Sequence, residues 1–439
     1  MEAYTCSHIN RVCVGVIKAS ISHLTYGVNK LGLKKKKMSS NIGKKWRDLS
    51  GRSNWKGMLE PLDIDLRHYI IHYGQLAQAT YDAFNSEKVS KYAGNSRYPR
   101  TGFFSKVGLE NNGNPFKYTV TKFVYATSKA DDAAAFLLKS FSKDAWSMQS
   151  NWIGYVAVAT DEGKEALGRR DIVVAWRGTI QAAEWVKDFH ILLDSAPEIF
   201  GDHADAQVHN GFYSLYTSNN PGSKFTNTSA RKQVLDEVSR LVEQYKNEEI
   251  SITVTGHSLG AALATLNAVD IVAQGLNKPK DQPQRSFPVT AFAYACPRVG
   301  DSSFEDAFNG YKDLRALRIR NETDIVPVSL FLVFSDVGQE LVIDTRKSKY
   351  LKSGFSAHNL EGYLHGVAGT QGQKGGFKLE VNRDIALLNK YEDALKDEYL
   401  VPKGWRVQEN KGMVQQSDGT WKFVDEIHDD AQSIHAATL

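Results

Sequence analysis

Apolar residues along this chain fall into two rhythms that take turns. Short continuous runs rich in Val, Ile, Phe and Tyr recur at 117–125, 152–159, 171–176, 250–255, 289–295, 314–320 and 339–344. Runs of that length read as strands, and those without strict alternation, such as Ile172-Val173-Val174-Ala175-Trp176, read as buried on both faces. Elsewhere apolar positions recur at three and four, beginning with Leu62…Leu66…Tyr69-Ile70…Tyr73…Leu76-Ala77…Tyr81. The same spacing predicts helices near 131–141, 183–189, 230–245, 261–274 and 304–309. Strands alternating with helices imply an α/β fold whose central sheet is mostly parallel and covered on both faces.

The ends of the chain break this pattern. Residues 1–40 read as a poorly ordered extension, and weak patterning reaches about residue 45. Residues 86–113, rich in Gly, Asn, Ser and Tyr, read as loop. The α/β body spans 41–375; the segment 376–439 then reads as a charged helix at 382–399 and a hairpin around Ser417-Asp418-Gly419-Thr420, packed as a small cap on the same domain.

One junction between the two rhythms carries chemistry. Gly256-His257-Ser258-Leu259-Gly260 joins the 250–255 strand to the Ala/Leu-rich helix that follows. A G-x-S-x-G pentapeptide in that context forms a sharp elbow that lifts the serine hydroxyl to the end of the sheet, above a helix N-terminus. A serine hydroxyl needs a base, and the base needs an orienting acid. Around such an elbow the chain order is Ser, Asp or Glu, then His, which sets His257 aside as base and leaves it packing or bonding to another strand. Asp301 and Asp324 follow the next two strands, with Glu322 a third candidate, and the fold-level rule that the acid follows the second strand favours Asp324. His358 and His365 lie seven apart, about 10 Å on a helix, so only one reaches Ser258; His358, at the helix start, is the better placed. The N–H of Leu259 and the Gly178-Thr179 turn after the 171–176 strand are the candidate donors to an oxyanion.

Composition and charge narrow the classes. A chain of 439 residues with 42% hydrophobic content supports a full core, and a net charge of +4 is small for that length. The basic run Lys34-Lys35-Lys36-Lys37 stands without interleaved aromatics or zinc-ligand spacing, so nothing marks a nucleic-acid binder. No apolar run reaches transmembrane length. Three cysteines, Cys6, Cys13 and Cys296, form no disulfide framework, which favours a reducing, cytoplasmic location. Residues 1–37 carry one acid, Glu2, which fits either a transit peptide or a segment ahead of a start at Met38.

Four motifs in order, Trp176-Arg177-Gly178-Thr179, Val208-His209-Asn210-Gly211-Phe212, Gly256-His257-Ser258-Leu259-Gly260 and Pro297-Arg298-Val299-Gly300-Asp301, resemble the class 3 lipases. A wider set resembles the plant class II phospholipases A1: Trp46-Arg47-Asp48-Leu49-Ser50-Gly51, Trp55-Lys56-Gly57-Met58, His358-Asn359-Leu360-Glu361-Gly362-Tyr363-Leu364-His365-Gly366 and Val401-Pro402-Lys403-Gly404-Trp405. The resemblance runs from about residue 41 to the C-terminus. It implies an α/β-hydrolase fold and a triad of Ser258 as nucleophile, Asp324 as acid and His358 as base. Thr179 and Leu259 become the oxyanion donors. Ile191-Leu192-Leu193…Ile199-Phe200-Gly201 falls where the family's fungal members carry a mobile lid, which implies a cover over the acyl groove that opens at lipid surfaces. The resemblance further implies cleavage of the sn-1 ester of phospholipids at membrane surfaces, with no metal or other cofactor. Two other functions fit the same motifs, a general lipase acting on neutral glycerides or galactolipid and a non-catalytic signalling scaffold.

Overall fold

The computed structural model describes residues 41–87, 89–110, 114–127, 151–179, 192–201, 205–329, 333–406 and 413–424. Seven strands form the central sheet: β1 (Tyr118–Ala126), β2 (Asn151–Ala159), β3 (Arg170–Trp176), β4 (Ile250–His257), β5 (Val289–Tyr294), β6 (Leu314–Asn321) and β7 (Gln339–Ile343). They lie in chain order, β1 and β2 antiparallel to their neighbours and β3 through β7 parallel. Each is a strand expected from the sequence, with ends moved by a residue or two. Five helices matter for the site: α1 (Ile64–Asp82), α2 (Ala230–Gln244), α3 (Leu259–Ala273), α4 (Ser302–Gly310) and α5 (Leu360–Gly369). The helices expected at 131–141 and 183–189 lie outside the described residues.

Alternation along the strands divides the core in two. Ile172, Val174 and Trp176 of β3 pack with Ile252 and Val254 of β4 under Val234, Val238 and Leu241 of α2 and Leu263 and Leu266 of α3. Val173 and Ala175 point the other way, with Phe292 and Tyr294 of β5, toward Leu66, Tyr69, Ile70 and Tyr73 of α1 and Tyr363, Leu364 and Val367 of α5. Both faces are covered, which is why these strands read as unbroken apolar runs. Each large apolar side chain so buried contributes about 1.5–3 kcal/mol. Among the described residues no helix is long and apolar enough to cross a membrane.

A buried polar knot fixes α1 against the sheet. The Asp171 carboxylate accepts from Ser251 Oγ (2.6 Å), Thr253 Oγ1 (2.9 Å), and the hydroxyls of Tyr73 and Tyr118 (2.8 Å each). Arg169 donates to Tyr69 (2.6 Å) and Tyr73 (2.7 Å) and lies 3.5 Å from Asp171, so the charges of this dry cluster offset one another. With α1 anchored here, its last turn, Tyr81 and Asp82, is delivered to the opposite edge of the sheet.

The C-terminal part departs from the expected helix. Residues 382–399 form two short 3-10 turns, Ile385–Asn389 and Asp397–Tyr399. The Asn389 side chain accepts from the N–H groups of Ala394 and Leu395 (2.8 Å each) and donates to the Val401 carbonyl (2.8 Å), a local bonding pattern that competes with a helix. The charges also turn inward. Lys390 pairs with Asp82 and lies 3.5 Å from Glu361, Arg383 pairs with Glu361, and all four side chains are buried. The hairpin is present, Met413–Gln415 pairing with Trp421–Phe423, but Val414, Trp421 and Val424 are exposed. Residues 41–49 are helical, where weak patterning to about residue 45 had suggested no element, and the extension expected at 1–40 lies outside the described residues.

Candidate active site

The site lies where β3, β4, β5 and β6 end level, with Trp176 opposite Gly256, Gly256 opposite Ala293, and Tyr294 opposite Ile319. At the end of β4 the chain turns directly into α3 through Ser258, whose φ of 59° and ψ of −129° place a serine in strained backbone. The two glycines make that turn possible by their lack of a Cβ. A methyl on Gly256 would collide with the Gly260 carbonyl, and one on Gly260 with the Trp176 carbonyl. Ser258 N–H is tied to the Tyr294 carbonyl at 2.9 Å, so the elbow is braced by the neighbouring strand.

His358 bridges the serine and an acid. Its Nε2 lies 2.8 Å from Ser258 Oγ and its Nδ1 2.7 Å from Asp324 Oδ2. A carboxylate only accepts, so Nδ1 carries the ring proton and Nε2 offers its lone pair to the serine hydroxyl. Asp324 takes two further bonds that motif reasoning missed, from Tyr363 Oη (2.6 Å) and from Val326 N–H (3.0 Å). These orient the carboxylate before it orients the histidine.

The other candidates have different work. Asp301 caps α4, accepting from Phe304 N–H at 2.9 Å, and takes the Gln207 N–H at 3.1 Å. Glu322 is exposed and pairs with Arg346 at 3.1 Å. His365 is buried inside α5, where its Nε2 lies 2.7 Å from Ser348 Oγ. His358 precedes α5 by two residues, and Asn359 between them caps the helix by accepting from Gly362 N–H.

His257 points away from Ser258, as the elbow requires, yet it remains within the site. Its Nε2 lies 2.8 Å from the carbonyl oxygen of His358 and its Nδ1 2.8 Å from Tyr81 Oη. Burial, with the neighbouring His358 adding to it, holds the His257 pKa well below the usual histidine value. A neutral imidazole has one N–H, and a carbonyl only accepts; Nε2 therefore donates to His358, and Tyr81 donates to Nδ1.

The expected oxyanion donors sit against the elbow. Packing of Gly260 on Trp176 draws the β3 turn over the start of α3, and Gly178 fits beneath Tyr81 Oη and the His257 carbonyl. Leu259 opens α3, so its N–H has no carbonyl one turn before it. Thr179 Oγ1 is buried with no hydrogen-bond partner among the described residues, a donor held ready for something that arrives. Beyond this turn, Leu193–Ser195 pairs with Gln207–His209, and Ile199 is buried in the core. The described part of the 191–201 segment is thus fastened at these points, and among its described large apolar side chains Leu192 stands well exposed, while residues 180–191 lie outside the described residues.

Buried histidines also give the fold a pH signature. Burial pushes His72 and His365 down to about 3. An unfolded chain protonates both near pH 6.5, whereas the folded chain holds them neutral to about pH 3. Unfolding therefore takes up protons in that window, and each residue lowers stability by about 1.4 kcal/mol per pH unit below 6.5, with no contribution above it. Urea unfolding should shift to lower midpoints between pH 7 and 5, and His365→Gln should flatten the fall by one residue's share. A midpoint independent of pH would overturn this.

Comparison with known proteins adds a family match and three relatives. The family model for lipase (class 3) matches residues 173–334. Phospholipase A1-IIgamma of Arabidopsis thaliana is 56% identical over 403 residues, covering 90% of this chain and 96% of that protein. Phospholipase A1-II 1 of Oryza sativa subsp. indica is 54% identical, covering 89% and 98%, and Phospholipase A1-IIbeta of Arabidopsis thaliana is 51% identical, covering 88% and 94%.

Proposed function

The chain belongs to the class 3 lipase family, and from that premise we propose that it is a phospholipase A1, a serine hydrolase that releases the sn-1 acyl chain of glycerophospholipids. The observation that carries the chemistry is the continuous bond path from Ser258 Oγ through His358 to Asp324. His358 Nε2 takes the hydroxyl proton as Ser258 attacks the ester carbonyl. The N–H groups of Thr179 and Leu259 hold the oxyanion, with the unpartnered Thr179 hydroxyl beside them. His358 then gives its proton to the departing lysophospholipid oxygen. Water, activated by the same nitrogen, attacks the acyl-enzyme and frees the fatty acid. The positional preference rests on the relatives, which are named phospholipases A1.

The reaction is proposed to take place at a membrane surface. Its support is the exposure of Ile325 and Val328, apolar residues on the loop that carries Asp324, together with Leu192. Single exposed apolar groups are ordinary, but Ile325 directly follows Asp324, and an apolar side chain at that position of a lipid-cleaving centre has a natural partner in the bilayer. A cytosolic location completes the proposal and rests on the sparse cysteines, of which Cys296 is buried and unpaired. Cofractionation of the protein with an organelle would count against that location.

Vesicles of phosphatidylcholine labelled separately at sn-1 and sn-2 test the activity. Selective sn-1 release that requires Ser258 is the expected result. Ser258-dependent hydrolysis of neutral glycerides with no release from phospholipid would make the protein a general lipase. A folded protein that turns over no ester would be a scaffold.

A further inference from the structure

A catalytic histidine in this mechanism loses one of its tethers in every cycle. Before acylation the His358 ring is held at both ends, by Ser258 Oγ at Nε2 and by Asp324 at Nδ1. Once Ser258 is esterified its oxygen has no proton to donate, and Nε2 must turn to water without the ring drifting. The remaining ring bond, to Asp324, fixes an axis but does not hold the His358 main chain itself; one residue before it, the Ala357 carbonyl accepts from Asn321 Nδ2 at 2.9 Å. Main-chain restraint at His358 therefore matters most in the second half of the reaction.

The structure supplies such a restraint from an unexpected place. His257, the residue before the nucleophile, donates from Nε2 to the backbone carbonyl of His358 at 2.8 Å, with the two rings 4.7 Å apart. The bond joins the elbow to the base loop without involving any reacting atom, so it persists while Ser258 is acylated. Its direction depends on which ring nitrogen carries the proton. With the proton on Nδ1 instead, the Nε2 lone pair would face a carbonyl lone pair and push the loop away. The His358 carbonyl, which can only accept, selects the Nε2–H tautomer, and Tyr81 Oη, 2.8 Å from Nδ1, supports it by donating there. The turn that leads to Thr179 packs against the same hydroxyl through Gly178. One hydroxyl from α1 thus sits where the oxyanion turn, the elbow and the base loop meet, and Gly178 is packed so closely against it that a methyl there would collide with Tyr81 Oη.

We propose that His257 is a positioning residue for the base His358, that Tyr81 supports the tautomer this requires, and that the contribution of His257 falls mainly on deacylation. The inference rests on the serine-hydrolase reading above and concerns a residue outside the triad.

The test uses the full chain and a p-nitrophenyl ester, whose burst reports acylation and whose steady state reports deacylation. In His257→Leu, deacylation should slow by about tenfold to a hundredfold, the range for a misplaced reacting group. Steady-state kcat and KM should then fall together, kcat/KM should change far less, and acyl-enzyme should accumulate. His257→Gln, whose amide can donate to the His358 carbonyl and accept from Tyr81, should recover most of the rate. Tyr81→Phe keeps the ring and the fold while removing the tautomer support, and should show the same split to a smaller degree. A merely structural role would lower kcat/KM and kcat alike and would give no rescue by glutamine; either result overturns the inference. Should His257→Leu fail to fold, Tyr81→Phe and His257→Gln decide by the same readout. A wild-type protein without any Ser258-dependent ester turnover would overturn the serine-hydrolase reading itself. A normal wild-type burst with unaltered partition in the variants would overturn only the role given to His257.

Discussion

Replacing Ser258 with alanine should lower kcat for acyl release by about five to six orders of magnitude, the loss expected when a serine nucleophile is removed from an intact site. The fold should not suffer. The lost hydroxyl makes one bond, to His358 Nε2 at 2.8 Å, and a single hydrogen bond contributes about 0.5–1.5 kcal/mol. Alanine keeps the same strained backbone, φ 59°, so the elbow neither gains nor loses from that term. A matched melting temperature beside a vanished rate is therefore the expected pair of results. The effect should also be non-additive: with Ser258 gone, His358→Ala should cost little more, because a base without a nucleophile has nothing to activate. A variant retaining a tenth of the wild-type rate would remove Ser258 from the mechanism.

The parts of this site that the sequence disclosed are those set by local rules. The seven strands are legible because burial on both faces writes an unbroken apolar run into each, and the elbow because only glycine fits against the carbonyls of Gly260 and Trp176. Asp324 and His358 follow from chain order and strand ends. Tyr81, His257 and Tyr363 were not legible as contributors, and the reason is distance along the chain. Tyr81 and His257 are 176 positions apart, and Tyr363 and Asp324 are 39 apart. Within its own helix Tyr81 looks like one more apolar repeat, and its hydroxyl gains meaning only when α1 is laid across the sheet. The misread helix at 382–399 has the same origin. Charged residues at helical spacing suggest a solvated face, whereas Arg383 and Lys390 are spent on Glu361 and Asp82, acids supplied by α5 and α1. Local spacing has no access to a partner about 300 residues away.

The second large effect is expected at Asp324, and asparagine is the informative replacement because it preserves shape while changing what each atom offers. In the native site the carboxylate only accepts: Oδ2 from His358 Nδ1 (2.7 Å) and Tyr363 Oη (2.6 Å), Oδ1 from Val326 N–H (3.0 Å). An amide must place its NH2 at one of these positions. Turned toward Val326 it would set two donors against each other in a buried spot, at a cost of about 1–3 kcal/mol. Turned the other way it keeps Val326 satisfied, and Tyr363 can rotate its hydroxyl to accept. His358 then faces a donor, so the proton moves from Nδ1 to Nε2. That tautomer presents N–H to Ser258 Oγ and has no lone pair with which to take its proton. The geometry survives and the base is lost. The expected fall in kcat is about 10⁴-fold, the size seen when a triad acid is made an amide. Tyr363→Phe alone leaves the carboxylate with both other partners and should cost about tenfold or less, the worth of one supporting hydrogen bond. Asp301→Asn provides the contrast. It touches the α4 cap and not the site, and because an asparagine oxygen caps about as well as a carboxylate it should change stability by less than about 1 kcal/mol and spare kcat. Steady-state rates on labelled phosphatidylcholine vesicles, read beside urea unfolding, separate these outcomes. If Asp324→Asn kept its rate while Asp301→Asn lost it, the acid would have to be reassigned, and with it the role drawn from the 2.7 Å contact between Asp324 and His358.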